Sequence, residues 1–578
     1  MRRHQDPIRG AHGSTRPSCL RGRMAPTAAA LAAVLAGLAL PAQAIQIETG
    51  NSELGIRFDN TVRYNFGLRS QGQDAGLLGN PNVDDGNRNF SNGAVVANRL
   101  DLLSEFDLSY RKSMGLRVSA AAWYDDAYRR KSKDNTSLAT TNNLVGGVQT
   151  LGYNDYVKRF YKGASGELLD AFAFYRGEIA NSPLSLKVGR SVEYWGEALL
   201  GNTHAISYSQ MPLDTAKALA IPGIEIKEVF RPIGNLTARL SPADNVTVAA
   251  QYFFDWEPTR LPEPGTYLGA GDSIANSGNV LLLGPAKVLR LPDVTPKKSG
   301  EYGLSVRWAS KQLDSTIGFY YRNFADKLGQ IHLANFAGPL PRNYFYAFAD
   351  KIDLYGMSVS KQIGIASVGA ELSYRRNMPL ISDTVPVLSA ASMPGQGQTG
   401  GARGNTWHGV LNMVAVLPGT GLWDTLALTG ELNWNRWDKV TQGIQYFKGR
   451  GAAPAGSPVP YAAYTALDAV SKDFVGIALG ATPTWLQVMP GVDLSMPFSV
   501  SDGISGNSAV VSGGNKNAGS WSLGLSADID QRHSLALRYA GYFGQYTTAA
   551  NGAMSVANGL TAILRDRGFV SLTFKTTF

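Results

Sequence analysis

Few residues in this chain are equipped for proton transfer or nucleophilic attack. Of six histidines in 578 residues, only His204, His332, His408 and His533 lie beyond the first 44. They sit on separate segments, with no Ser or carboxylate partner at a diagnostic spacing, so no catalytic triad or acid–base pair is predicted and the chain is read as a non-enzyme. The one cysteine, Cys19, falls within the N-terminal 44 residues, which leaves no thiol for nucleophilic or redox work beyond them. Asn82, Asp84, Gly86 and Asn87 are spaced like a cation-binding turn but lack the closing Glu of a Ca²⁺ loop. They predict an ordinary turn, with neither a metal site nor a cofactor.

The chemically capable groups that do recur are Arg and Asp/Glu at every second position of long segments. In residues 54–69, Leu54, Ile56, Phe58, Val62, Tyr64, Phe66 and Leu68 alternate with Arg57, Asp59, Thr61, Arg63, Asn65 and Arg69. Residues 99–110 repeat this, setting Leu100, Leu102, Phe106, Leu108 and Tyr110 against Arg99, Asp101, Glu105 and Asp107. Residues 246–256 set Val246, Val248, Ala250, Tyr252, Phe254 and Trp256 against Thr247, Gln251 and Asp255. A period of two means strands with one apolar and one polar face.

Such strands suit either a soluble sheet on a core or a barrel with its apolar face on lipid. Their length favours the barrel: they run 10 to 16 residues, whereas soluble strands average about five or six and a tilted membrane strand needs about 9–11. Tight turns are predicted near 111–113, 180–183, 241–245, 309–314, 361–365, 417–423, 488–491 and 529–533. Long polar or Gly-rich loops are predicted near 70–97, 127–166, 196–223, 257–300, 324–349, 377–404, 437–473, 501–518 and 545–566. Eight turns and nine loops require eighteen strands, within a range of 16 to 20, and in lipid the sheet must close. Residues 224–240 are taken as one strand despite Pro232. The chain ends on the alternating segment 569–578 and an aromatic residue, Phe578, the form of a terminal strand that outer-membrane assembly machinery recognises.

Export is predicted by residues 25–40, an apolar stretch preceded by Arg21 and Arg23 and followed by Ala42-Gln43-Ala44, a small-residue cleavage signature. Residues 1–44 are read as a signal peptide and 45–578 as the barrel, with Met1 and Met24 both available as starts. Six arginines against Asp6 place +5 of the net charge of +9 in that leader, leaving +4 for the remainder. Near-neutral charge with no basic run excludes a nucleic-acid partner.

Several motifs are similar to those of a Gram-negative outer-membrane protein family catalogued as domain of unknown function 1302. They are Asp84-Asp85-Gly86-Asn87-Arg88-Asn89-Phe90, Val188-Gly189-Arg190-Ser191-Val192-Glu193-Tyr194-Trp195-Gly196-Glu197, Ile221-Pro222-Gly223-Ile224-Glu225-Ile226-Lys227-Glu228, Ser373-Tyr374-Arg375-Arg376-Asn377-Met378-Pro379-Leu380 and Arg565-Asp566-Arg567-Gly568-Phe569-Val570-Ser571-Leu572. Gly189, Arg190, Trp195, Gly196 and Glu197 carry the most specific part; Gly568 stands where the pattern has an acidic residue. The resemblance implies an outer-membrane location. It also implies a genetic association with a periplasmic lipoprotein-carrier-like protein and an inner-membrane exporter of the resistance-nodulation-division type, both potential partners, hence traffic in lipid-like or hydrophobic compounds.

If the apolar faces meet lipid, the opposite faces put Arg57, Asp59, Arg63, Arg99, Asp101, Glu105, Asp107, Arg117, Asp255, Arg307, Glu371, Arg375, Glu431 and Arg538 in the lumen, because a charge at the bilayer midplane costs roughly 2–4 kcal/mol. Such a lining of mixed sign serves either as a weakly selective channel wall or as an Arg–carboxylate network that braces the interior. Tyr194 and Trp195 are expected in the outer aromatic girdle. The following loop, 198–223, is rich enough in Leu, Ile, Met and Ala that an inward-folded constriction is the alternative to a solvated loop. The function expected is an outer-membrane channel for hydrophobic or lipid-like small molecules. The other reading is a non-conducting barrel that docks the periplasmic carrier.

Overall fold

The computed structural model describes residues 45–129, 144–145, 148–149, 152–199, 203–221, 224–274, 278–284, 286–449 and 466–578. The signal peptide predicted at residues 1–44 lies outside the described residues, and so do parts of the loops predicted at 127–166 and 437–473.

Eighteen antiparallel strands close into one barrel. In chain order they are β1 Leu54–Arg69, β2 Val95–Tyr110, β3 Met114–Asp125, β4 Gly163–Ile179, β5 Ser182–Ser191, β6 Ile233–Ala243, β7 Val246–Phe253, β8 Tyr302–Ser310 and β9 Ser315–Phe324. There follow β10 Ile352–Ile363, β11 Ala366–Pro379, β12 Arg403–Pro418, β13 Thr425–Gln442 and β14 Asp473–Met489. The fifteenth, β15, is broken at Met496-Pro497 into Val492–Ser495 and Phe498–Ser505, since Pro497 has no N–H for the ladder. The last are β16 Gly519–Ile529, β17 His533–Phe543 and β18 Phe569–Thr577.

Each strand pairs with its neighbours in sequence, and β1 pairs with both β2 and β18, in register from Thr61 opposite Thr577 to Arg69 opposite Phe569. Asn60 and the terminal Phe578 exchange two backbone hydrogen bonds of 2.7 and 2.9 Å at this seam. A short strand, Ile45–Ile47, continues the ladder on β1 beyond the end of β18. All eight tight turns lie where expected. Three of them, at Arg111-Lys112, Ala180-Asn181 and Asp530-Gln531, place two successive residues at positive φ, the backbone twist that two-residue hairpins favour.

Along β8, Tyr302, Leu304, Val306 and Trp308 are exposed while Ser305 is buried; along β12, Trp407, Leu411 and Met413 are exposed while Thr406, His408, Val410 and Asn412 are buried. The exposed set forms an apolar belt around the barrel, the surface that lipid covers in a membrane-spanning barrel of the outer-membrane type. Among the described residues no helix is long and apolar enough to cross a membrane, so the strands do the spanning. At the long-loop end of the belt, cross-strand register aligns Tyr252 with Tyr302, Tyr321 with Tyr355, Tyr355 with Tyr374, and Tyr374 with Trp407. Ring centroids 5.2 Å apart for Tyr321–Tyr355 and 4.6 Å for Tyr374–Trp407 make this row an aromatic girdle.

Three expectations need correction. Residues 224–232 are not strand: β6 begins at Ile233, just after Pro232, and Ile226–Val229 form one helical turn. Trp195 is not in the girdle; it is buried against Tyr320. Trp256 does not face lipid, because β7 ends at Phe253 and the chain then turns the indole onto Phe348, 5.1 Å away. The long loops at 257–300, 324–349 and 377–404 carry structure of their own: Val280–Leu283, Ala286–Arg290, Gln330–Ala334, Asn343–Ala347 and Val385–Val387 pair into a five-stranded sheet.

Candidate functional site

The segment between β5 and β6 is held by strand side chains that point away from the lipid belt. On one wall, Glu371 of β11 accepts the backbone N–H groups of Glu197, Ala198 (2.8 Å) and Ile206 (2.7 Å). Next to it Arg375 donates to the Ala205 carbonyl (2.9 Å), and its guanidinium lies over the Tyr208 ring. Glu431 of β13 accepts from Leu199 N–H (2.5 Å), Asn412 of β12 donates to the Glu197 carbonyl (2.7 Å), and Arg307 of β8 pairs with the Glu197 carboxylate (3.1 Å).

About half the circumference away, the same segment meets the other wall. Arg63 of β1 pairs with Glu228 at 2.5 Å, both essentially inaccessible to solvent. Lys227 pairs with Glu105 of β2 and with Glu225 (3.0 Å), Lys217 with Glu167 of β4, and Glu225 lies 3.6 Å from Lys575 of β18. Residues 195–232 thus have polar anchors on both sides of the barrel, with Ile206, Met211 and Ile221 buried between them.

Gly196 makes the sharp entry into this segment possible. It has φ +99°, and a Cβ there would lie 2.2 Å from the Glu371 carboxylate, so only glycine fits. Gly189 at φ +128° lets β5 approach the Ala171 carbonyl, where a Cβ would come to 2.3 Å. Arg190 faces Asp255 (3.9 Å) and Glu257 (3.7 Å).

The remaining charged positions singled out in the sequence pair along the wall. Arg57 meets Asp59 (2.6 Å), with the arginine mostly in solvent; Arg99 meets Asp101 (2.8 Å) and stacks on Trp123. Arg117 reaches Glu105, Asp107 (3.2 Å) and Asp170 (3.7 Å), and Arg538 donates to Ser522 (2.8 Å).

Other anchors escaped the sequence reading. Arg322 donates to the carbonyls of Ile206 and Tyr208, both at 2.7 Å, and Tyr208 donates to Asp326 at 2.8 Å. Arg322 lies on the inward parity of β9, with Gly318 and Tyr320, so alternation alone could have found it.

Two histidines separated in sequence also meet here, their Nδ1 atoms 3.0 Å apart. His204 Nε2 faces the Gly513 carbonyl (2.7 Å) and must donate to it; His408 Nε2 faces Thr406 Oγ1 (2.8 Å). One assignment of neutral tautomers satisfies every contact: Thr406 O–H donates to His408, His408 Nδ1–H donates to His204, and His204 Nε2–H donates to Gly513. This chain of bonds ties the inward segment to β12 and to the loop after β15.

Above these anchors lies a cavity of about 760 Å³. Thr203 and His204 are among the residues that line it, and the lining, apolar in the main, includes Leu261, Leu328, Phe348, Phe474 and Leu560. Lys327, which faces it, is paired with Glu301 at 3.2 Å.

The turn at 82–87 is less ordinary than its sequence suggested. Asp84 and Asp85 come together with Asp272 of the loop after β7, one carboxylate oxygen from each lying within 4.8 Å of the others. All three are buried. Burial raises the Asp84 carboxyl to about 6, and burial with the neighbouring Asp85 and Asp84 carboxylates raises Asp272 well above the usual range.

Residues 25–578 match the family described as a protein of unknown function, DUF1302. The chain belongs to this family. A search of curated proteins finds no match. Among solved structures, the chain is similar to OccAB1 of Acinetobacter baumannii (9% identity, 93% of this chain and 99% of that one, TM-score 0.41). It is similar also to OpdK of Pseudomonas aeruginosa solved with vanillate (8%, 90% and 98%, 0.38) and to a BenF-like porin from Pseudomonas fluorescens Pf-5 (9%, 90% and 98%, 0.39).

Proposed function

We propose that this family member is an outer-membrane channel for small hydrophobic molecules, with residues 195–232 as its constriction and the 760 Å³ cavity as the vestibule above it. The observation that carries the reading is the cavity's lining. A pore for ions or sugars lines its path mainly with charge or hydroxyls, whereas here Leu261, Leu328, Phe348, Phe474 and Leu560 supply much of the lining, and of its charged groups Lys327, Arg290, Asp293 and Asp468 are held in ion pairs, with Asp502 the exception. Ala478 of β14 lines the same cavity, so Ala478→Trp fills it from the wall. Uptake of a hydrophobic fluorescent amine into cells expressing wild type is expected to exceed uptake with A478W; equal rates at equal surface expression would refute the assignment.

The ion pairs that brace the constriction favour a second reading, in which the barrel conducts nothing and docks a periplasmic lipoprotein-carrier-like protein that serves an inner-membrane exporter. Planar bilayers discriminate. Discrete conductance steps from the purified protein support a channel, while a silent bilayer with retained carrier binding supports docking.

A further inference from the structure

Two of the long loops converge on the acidic cluster. The first, 70–94, and the fourth, 254–301, are cross-linked by hydrogen bonds from Asn82 to the Leu282 carbonyl (2.8 Å), from Leu282 N–H to Asn82 Oδ1 (2.9 Å) and from Asn89 to the Gly265 carbonyl (2.7 Å). Gly86 is pressed so close that a Cβ would lie 2.3 Å from the Thr266 carbonyl. At this junction Asp84, Asp85 and Asp272 are at most 3% exposed. Arg88 binds one oxygen of Asp84, and the Asp85 N–H donates to one oxygen of Asp272 (3.0 Å). The second oxygen of Asp84 and the second of Asp272 are buried without a hydrogen-bond partner. Arg567, the other cation nearby, spends its guanidinium on the carbonyls of Tyr267 (2.6 Å), Gly269 (2.9 Å) and Val83 (3.2 Å) rather than on these carboxylates. Three carboxyl groups therefore share one pocket with Arg88 and Arg567, in a place from which water is excluded, where an uncompensated carboxylate is costly.

We propose that Asp84, Asp85 and Asp272 form a divalent-cation site of the Ca²⁺ type that clamps the first long loop to the fourth. Oxygen-only donors select a hard cation. The spacing fits as well: ligands at about 2.3–2.6 Å from one ion lie no more than about 5.2 Å apart, and the three oxygens fall within 4.8 Å. Asp272, 187 residues from Asp85, stands in for the closing acidic ligand that the sequence pattern lacked.

The test uses full-length mature protein refolded from inclusion bodies, free of lipopolysaccharide and stripped with a chelator. Equilibrium dialysis against Ca²⁺ is expected to find a single tight site per chain. Hydrogen exchange is expected to slow on Ca²⁺ addition at residues 82–87 and 266–274 together. Wild type that binds no Ca²⁺, or binds it without slowing exchange in both loops, overturns the proposal, and this arm needs no variant. Asp272→Asn and Asp84→Asn, each checked for barrel formation by heat-modifiable gel mobility, are expected to lose the site. Wild-type binding in either folded variant also overturns it.

Discussion

Replacing Glu371 by alanine is the most direct way to release the inward segment without touching its sequence. Its carboxylate accepts three backbone N–H groups, from Glu197, Ala198 and Ile206, in a place where neither Ala198 nor Ile206 is exposed. Leaving a buried donor unsatisfied costs about 1–3 kcal/mol, so with two of the three donors buried Glu371→Ala penalises the anchored arrangement by roughly 2–6 kcal/mol. Since about 1.4 kcal/mol is tenfold in an equilibrium constant, even the lower figure raises the detached population more than about tenfold. Glu371→Gln is milder. Its amide oxygen can keep the Glu197 and Ala198 donors, while its NH₂ group must face Ile206 N–H, so roughly one such penalty applies. The assay is limited trypsinolysis at Lys217 of folded protein in vesicles, with heat-modifiable mobility reporting the barrel. Cleavage is expected to accelerate in the order wild type, E371Q, E371A, and current noise in planar bilayers to rise in parallel. An intact E371A barrel cleaved at the wild-type rate would refute the idea that this carboxylate holds the segment.

Three further outcomes follow from the same geometry. Arg63→Met alone, which strands the buried Glu228 carboxylate, should cost about 3–5 kcal/mol in urea unfolding from vesicles, whereas R63M/E228L should restore most of it; additive losses would contradict a buried pair. Gly196→Ala, at φ +99° and with its methyl 2.2 Å from the Glu371 carboxylate, should speed the Lys217 cleavage as E371A does, and no change would mean the loop entry is more yielding than its backbone implies. In the loop sheet, His332 accepts Gly400 N–H (3.0 Å) at Nε2 and donates from Nδ1 to the Gln330 carbonyl (3.1 Å), and burial draws its pKa down to about 4. The unfolded loop then binds a proton that the folded loop refuses, so its stability is constant above the ordinary value near 6.5 and falls, by up to about 3 kcal/mol, as the pH drops from there toward 4. Exchange of the Gly400 amide, corrected for its intrinsic rate, should therefore quicken at pH 5 in wild type and not in His332→Phe.

The barrel was legible because its cause is local. In β1 the side chains alternate, and burying Asp59, Arg63, Asn65 and Arg69 while leaving Leu68 exposed needs only the pleat and an apolar surrounding. Turn positions were equally legible, since Ala180-Asn181 and Asp530-Gln531 interrupt two alternating runs wherever they occur. What each inward charge holds was not legible. Glu371 and Ile206 are 165 residues apart, Arg63 and Glu228 also 165, and His204 and His408 204; nothing in either neighbourhood encodes the other. Alternation also fails where a strand ends, which is why Trp256, three residues beyond β7, was assigned the wrong face. Trp195 was misassigned for a different reason: an aromatic at a strand end suits a girdle, but Gly196 at φ +99° redirects the chain there.

These failures share a direction that bears on function. Each residue misplaced from sequence, Trp195, Trp256 and the strand expected at 224–232, lies beside or within the inward segment or the loops above it. The wall obeys the solvent that surrounds it, whereas the interior obeys contacts that the chain must cross the lumen to make. Here Arg63, Arg322, Glu371 and Arg375 are buried in holding backbone or a buried partner, and removing the partner of a buried charge is strongly destabilising. Four such contacts tie the described parts of the segment between β5 and β6 to the barrel wall. Under the proposed channel function, uptake measured with A478W and E371A in the same cells separates the cavity from the segment between β5 and β6: the first should slow entry without altering cleavage at Lys217, the second should alter both.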